Sequence, residues 1–168
     1  GAYGELRRTY GFTTTLPPTV PTVGIIDTGV SNIEPLTPLF DNIHFDHTGN
    51  GINWDESGHG TLVAGLVAFG EDFNREVKST YTAKAKISVI KAIHSENDEI
   101  NIPQLLNDIR TARRDHGIRL FNMSLNIPSI KKYNDSFSAF AYELDKLSYE
   151  EDVLIIMSVG NTDGIELE

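Results

Sequence analysis

Short apolar runs alternate along this chain with stretches whose apolar positions recur every three or four residues. Val23–Asp27, Ile87–Ile93, Leu120–Leu125 and Val153–Val159 are runs of strand length, the pattern of strands buried on both faces. Asn42–Phe45 reads as a further short strand. His59–Phe69 carries apolar or small residues on every side, which predicts a helix buried all round. Leu105, Leu106, Ile109 and Ala112 recur at helical spacing. Asn101 is a suitable N-cap for them, Pro103 stands just inside the start, and Gly117 ends the pattern. Asn134 or Asp135 opens a last helix with the stripe Phe137, Phe140, Ala141, Leu144 and Leu147. The alternation predicts an α/β fold of three layers: a mostly parallel sheet with helices on both faces. Residues 1–21 stand apart as an extended lead-in, because Thr13–Pro21 is too rich in proline for a helix or a central strand.

Composition narrows the functional classes. The chain has 168 residues, enough for one domain with a real core. Its 24 acidic and 14 basic residues give a formal net charge of −10. Nucleic acid is therefore not an expected partner, since binding it needs basic surface to replace counterions. There is no cysteine, which removes disulfides and thiolate metal sites from consideration. No apolar run approaches the roughly 20 residues of a membrane helix, so no membrane partner is expected. The first ten residues are polar and carry Arg7 and Arg8, unlike a signal peptide.

Two segments carry the chemistry. Val23-Gly24-Ile25-Ile26-Asp27-Thr28-Gly29 puts an acid at the carboxyl end of a strand, where open parallel sheets place their function. Alone, Asp-Thr-Gly is ambiguous. It suits a strand-end turn, the nucleophile motif of all-β aspartic proteases, or a phosphoacceptor aspartate. Ser57-Gly58-His59-Gly60-Thr61-Leu62-Val63-Ala64-Gly65 follows, with His59 32 residues after Asp27. Gly58 and Gly60 let the backbone pass close to its neighbours, and Ala64 and Gly65 thin the next turn. A histidine at a helix N-terminus feels the positive end of the dipole, which favours the neutral imidazole that a general base requires. Asp27 could then hold that ring in one tautomer. An acid followed by a histidine is the chain order of one class of Ser-His-Asp hydrolase.

On these residues the chain resembles the subtilisin family of serine proteases, the subtilases. Asp27-Thr28-Gly29 resembles the family's aspartate block, and Gly58-His59-Gly60-Thr61-x-Val63-Ala64-Gly65 its histidine block. Asn122-Met123-Ser124-Leu125 resembles the strand that pairs with substrate and edges the first specificity pocket. Ser158-Val159-Gly160-Asn161 resembles the segment that ends in the oxyanion-hole asparagine. The resemblance covers about residues 22–162. It implies a subtilisin-like fold and hydrolysis of peptide bonds by an Asp-His-Ser triad. Asp27 and His59 would be catalytic and Asn161 would bind the oxyanion. Ser124, Leu125, Asn126, Ser158, Val159 and Gly160 would line the substrate. The partner implied is a peptide or protein substrate. No cofactor is required; calcium is common in the family, but no run here has the spacing of a calcium loop. Export is the family habit, and an intracellular location stays open.

Departures from the family pattern shape the expectation. Leu62 replaces a second histidine that many members carry, and Asn126 stands where glycine is usual, which would reshape the first pocket. No Gly-Thr-Ser block follows His59, and none of Ser124, Ser129, Ser136, Ser138, Ser148 and Ser158 has that context. Residues 22–168 are therefore expected to be a truncated catalytic domain without its nucleophile, inactive alone, with an uncovered face beside His59–Phe69 through which two copies would pair. The alternative is a non-catalytic binding or assembly module that keeps the fold. No metal site is expected. His44-Phe45-Asp46-His47 has suitable residue types, but strand alternation sends them to opposite faces, and a surface loop is the better reading. Glu96, Asp98 and Glu99 read as a solvated acidic loop.

Overall fold

The structure, a computed structural model, describes residues 11–95, 97–125 and 135–157. Five parallel strands form the central sheet: β2 (Thr22–Asp27), β3 (Phe45–Asp46), β5 (Lys86–Lys91), β6 (Leu120–Met123) and β7 (Leu154–Met157). Their order is β3-β5-β2-β6-β7. The first strand of the set thus sits in the middle, and the chain fills the side of β3 and β5 first and the side of β6 and β7 afterwards. That reversal puts a topological switch point beside β2, the place where open α/β sheets leave a crevice at the strand carboxyl ends. A separate two-stranded parallel sheet pairs β1 (Thr13–Thr15) with β4 (Thr80–Thr82). The lead-in is thus partly a strand, which its threonines favour and its prolines confine to three residues.

The helices are α1 (His59–Phe69), a single turn α2 (Asp72–Arg75), α3 (Ile102–His116) and α4 (Asp135–Glu151). Two apolar clusters flank the sheet. On one face Val23, Ile25, Ile87 and Val89 meet Ala64, Ala68 and Phe69 of α1. On the other Ile26, Ile90, Phe121 and Met123 meet Leu105 and Ile109 of α3 and Phe140, Leu144 and Leu147 of α4. The period-2 alternation of each strand thus feeds two cores. Helix α3 begins where the side chain of Asn101 accepts from Gln104 N at 3.1 Å, and ends at Gly117 with φ +70°.

Several boundaries differ from the sequence reading. The strand expected at Asn42–Phe45 is only Phe45–Asp46, because Asp41 and Asn42 sit in a turn where Asp41 Oδ1 accepts from Asn42 N. Ile87–Ile93 and Leu120–Leu125 shorten to Lys86–Lys91 and Leu120–Met123; their last apolar residues are buried beyond the ladder rather than within it. Helix α1 is not buried all round. Its small residues Gly60, Ala64 and Ala68 face inward with Phe69, while Leu62 is exposed. The helix must lie close to the sheet, and only small side chains fit between them. Asn134 lies outside the described residues, as does the side chain of Phe137.

Candidate active site

Asp27 ends β2 and is wholly buried. Its side chain meets His59 at the first turn of α1. His59 Nδ1 is 2.9 Å from Asp27 Oδ1 and 3.1 Å from Oδ2. The imidazole is otherwise open, with 44% of its side chain exposed. One ring nitrogen is therefore held by a buried carboxylate while the ring as a whole remains reachable. Burial pushes the Asp27 carboxyl above its ordinary 3.8, against the lowering effect of hydrogen bonds from His59 and Thr28. A carboxylate that is costly to desolvate keeps a strong interest in the N–H groups of Thr28 and His59 that face it.

The contact depends on two glycines that act differently. A Cβ on Gly60 would overlap the carbonyl oxygen of Gly29, so α1 docks on the turn after β2 only because that atom is missing. Gly58, expected to serve close approach too, has nothing within 4 Å of a Cβ. It is needed for its φ of +74° at the helix N-cap.

The first N–H groups of α1 are satisfied from outside the helix. His59 N donates to Ser57 Oγ at 3.1 Å, and Gly60 N to Thr28 Oγ1 at 3.4 Å. Asp55 supplies the rest. Its Oδ1 accepts from Gly58 N at 3.2 Å, and its Oδ2 from Thr61 N at 2.8 Å and Thr61 Oγ1 at 2.5 Å. Asp55 Oδ1 also accepts from Thr28 Oγ1 at 2.7 Å. Sequence reasoning missed Asp55. Its signal was an acid and a serine just before a helix start, the composition of an N-terminal cap.

A buried cation lies beside this network. Lys91 is the register partner of Asp27 on β5 and is wholly buried. Its Nζ donates to Gly51 O at 3.1 Å, Trp54 O at 2.5 Å and His94 Nδ1 at 3.1 Å. His94 in turn lies 3.4 Å from Glu56 and packs its ring edge-on against Trp54. Burial lowers the Lys91 pKa, against the attraction of Asp46, Asp55 and Glu56. The loop that delivers His59 is thus fastened to β5 through main-chain carbonyls.

The other sequence candidates lie apart from the His59–Asp27 pair or outside the described residues. Ser124 lies just past β6, and its hydroxyl donates to Asn122 Oδ1 at 2.6 Å. Leu125 is buried in the core shared with α3 and α4. Asn126, Ser158, Val159, Gly160 and Asn161 lie outside the described residues. The His44–His47 segment is not simply a surface loop. His44 Nδ1 accepts from Val89 N at 3.3 Å, and the buried side chain of His47 pairs through Nε2 with Asp108 of α3. Asp46, the exposed last residue of β3, closes the turn that follows it, where its oxygens accept from Thr48, Gly49 and Gly51. Among the described residues no group of three or more His, Asp or Glu side chains is arranged to hold a metal. Asp98 closes its own loop by accepting from His94 N and Ser95 N.

A sequence profile of the subtilase family of S8 peptidases matches residues 19–167. No curated protein matches the chain.

Proposed function

Since the chain belongs to the subtilase family, a family of serine peptidases, we propose that it carries the acid and the base of a peptide-bond hydrolase. The observation that carries this reading is the contact of His59 Nδ1 with the buried carboxylate of Asp27 at 2.9 Å. Asp27 fixes the ring in the tautomer with its proton on Nδ1, so Nε2 is the free base. Nε2 takes the proton of a serine hydroxyl as that oxygen attacks the scissile carbonyl, and then gives it to the leaving amine. Asp27 stabilises the imidazolium in between and stays ionised. Asn161 donates its side-chain N–H to the oxyanion, and loss of one such donor costs about 3–4 kcal/mol in the subtilisin case that underlies this figure. In this reading the backbone around Ser124, Leu125 and Asn126 pairs with the peptide, and Ser158, Val159 and Gly160 also bind substrate. The substrate is a peptide or protein, and this proton chemistry needs no cofactor.

The 168 residues hold no Gly-Thr-Ser block, so in this reading they supply no activated serine and do not turn over peptide by themselves. A fluorophosphonate probe tests both halves of the proposal. It should label no serine in this chain. It should label one when a segment bearing the Gly-Thr-Ser block is joined to it, and His59→Ala or Asp27→Ala should abolish that labelling. Labelling of a serine within the 168 residues would mean that the nucleophile is already here. Absence of labelling in the extended protein would favour a binding module that keeps the subtilase fold.

A further inference from the structure

Asp27 Oδ1 faces three donors. Thr28 N lies at 2.8 Å, His59 Nδ1 at 2.9 Å and the Thr28 hydroxyl at 3.2 Å. His59 Nδ1 has a second, longer contact to Oδ2 at 3.1 Å, but Oδ1 itself has only two lone pairs, and three donors there are one too many. The Thr28 hydroxyl has a single proton and two buried carboxylates within reach. Asp55 Oδ1, at 2.7 Å, is the nearer by half an ångström. The remaining neighbours of that hydroxyl fit this direction. Gly60 N donates to its oxygen at 3.4 Å, and Ser57 Oγ lies 3.2 Å from it and 3.3 Å from Asp55 Oδ1, so the Ser57 proton has both oxygens within reach.

We propose that Asp55 is a positioning residue for the His59–Asp27 pair: it draws the Thr28 hydroxyl proton to itself and so leaves Asp27 Oδ1 to the His59 ring. The inference rests on the reading of Asp27 and His59 given above and adds a residue to it. A plain helix cap would need only the N–H groups of Gly58 and Thr61. Asp55 goes further and reaches Thr28 on the turn after β2, joining the strand end that carries Asp27 to the helix start that carries His59. Without it, the Thr28 hydroxyl turns to Asp27 and competes with His59 for Oδ1, leaving the ring only its longer contact to Oδ2 at 3.1 Å. The other charged groups nearby, Lys91 on β5 and Glu56 and His94 beside the loop, are engaged with one another or with carbonyls. None of them is substituted in the variants below.

The test is ¹⁵N NMR of the His59 ring in the full 168-residue chain at neutral pH, which reads the ratio of the two neutral tautomers. In the unmodified chain the form with its proton on Nδ1 should dominate, and Asp27→Asn should abolish that preference. Failure of that control would sink the acid–base reading itself. Asp55→Asn should shift the ratio away from the Nδ1–H form by about threefold to tenfold, the worth of one competing hydrogen bond. Adding Thr28→Val should restore it, because no hydroxyl is left to compete. An unchanged ratio in Asp55→Asn, or a shift that Thr28→Val does not reverse, would make Asp55 a helix cap and nothing more. Backbone spectra show whether each variant is folded. Should Asp55→Asn not fold, the unmodified chain decides: the Thr28 hydroxyl proton should show its through-space contact to the Asp55 methylene, and a contact to the Asp27 methylene instead would overturn the proposal.

Discussion

Asp27 and Lys91 are register partners at the carboxyl ends of β2 and β5, both wholly buried, and no ion pair joins them among the described residues. The carboxylate is turned to His59 and Thr28, and the ammonium to the carbonyls of Gly51 and Trp54. A direct pair would neutralise the charge that His59 requires. Kept apart, Lys91 fastens the loop that leads into α1, and Asp27 remains an acceptor. Lys91→Met should remove the two hydrogen bonds that tie the Gly51 and Trp54 carbonyls to β5, each from a charged donor and worth about 1.5–3 kcal/mol. Urea denaturation should show the loss, and hydrogen exchange should quicken first in residues 51–57. Unchanged exchange there would mean that the loop holds itself.

Asp27 also sets a pH dependence. Its carboxyl is raised above 3.8 by burial, so the folded chain binds that proton more tightly than the unfolded chain does. This contribution to stability is full below pH 3.8 and is lost as pH rises through the folded value. Asp27→Asn, which is always neutral, should therefore be more stable than the unmodified chain at pH 7, with the gain fading toward pH 3.8. Denaturation midpoints at both pH values check the sign, and a variant less stable at pH 7 would reverse it.

Glu151 titrates in the opposite sense. The hydrogen bond from Arg114 holds its carboxyl below the ordinary 4.5, with Arg110 and Arg113 adding attraction. Its contribution is present above pH 4.5 and is lost as pH falls through the folded value. Glu151→Gln should lower the melting temperature at pH 7 by loosening the end of α4 from α3, and the difference from the unmodified chain should narrow in acid. Most of the Arg114 side chain is in solvent, so salt should weaken the effect. A gap that neither acid nor salt narrows would assign the loss to packing.

Gly60→Ala tests the docking of α1. The added methyl meets the Gly29 carbonyl, a main-chain atom that cannot swing aside. The expected cost is about 1–3 kcal/mol or more, with loss of the His59–Asp27 contact. Denaturation together with the His59 ring ¹⁵N shifts would reveal it; a stable variant with the same tautomer ratio would show that the helix shifts freely.

The outer edge of the sheet bears on association. β7 ends the described sheet, and its Leu154, Ile156 and Met157 are exposed. Leu154 and Ile156 are the register partners of Leu120 and Asn122, which places them on the α1 side of the sheet. Exposed strand edges and apolar side chains together favour pairing. We expect the chain to self-associate, and Ile156→Lys to weaken that association. Sedimentation over a range of concentrations would show it, and a monomer throughout would refute it.

Much of this protein is legible in one dimension. Burial on both faces of a parallel sheet demands nearly continuous apolar runs; Val23–Asp27 has one, and Ile87–Ile93 is broken only by Ser88 and Lys91. The caps of α3 are local contacts between residues near in sequence, so Asn101 and Gly117 mark its ends directly. Asp27 and His59 stand out because their neighbours are small residues that a strand-end turn and a close-packed helix start require. What lies across the sheet is not legible. Asp55 looks like any loop acid until folding brings Thr28, 27 residues away, to its carboxylate. Lys91 sits inside the run Ile87–Ile93 with nothing to single it out, and His47 reads as a loop residue, yet both are buried with partners distant in sequence. Periodicity reports which side chains leave water. Which polar groups meet once they have left it depends on strand order and register, and only the folded chain decides those.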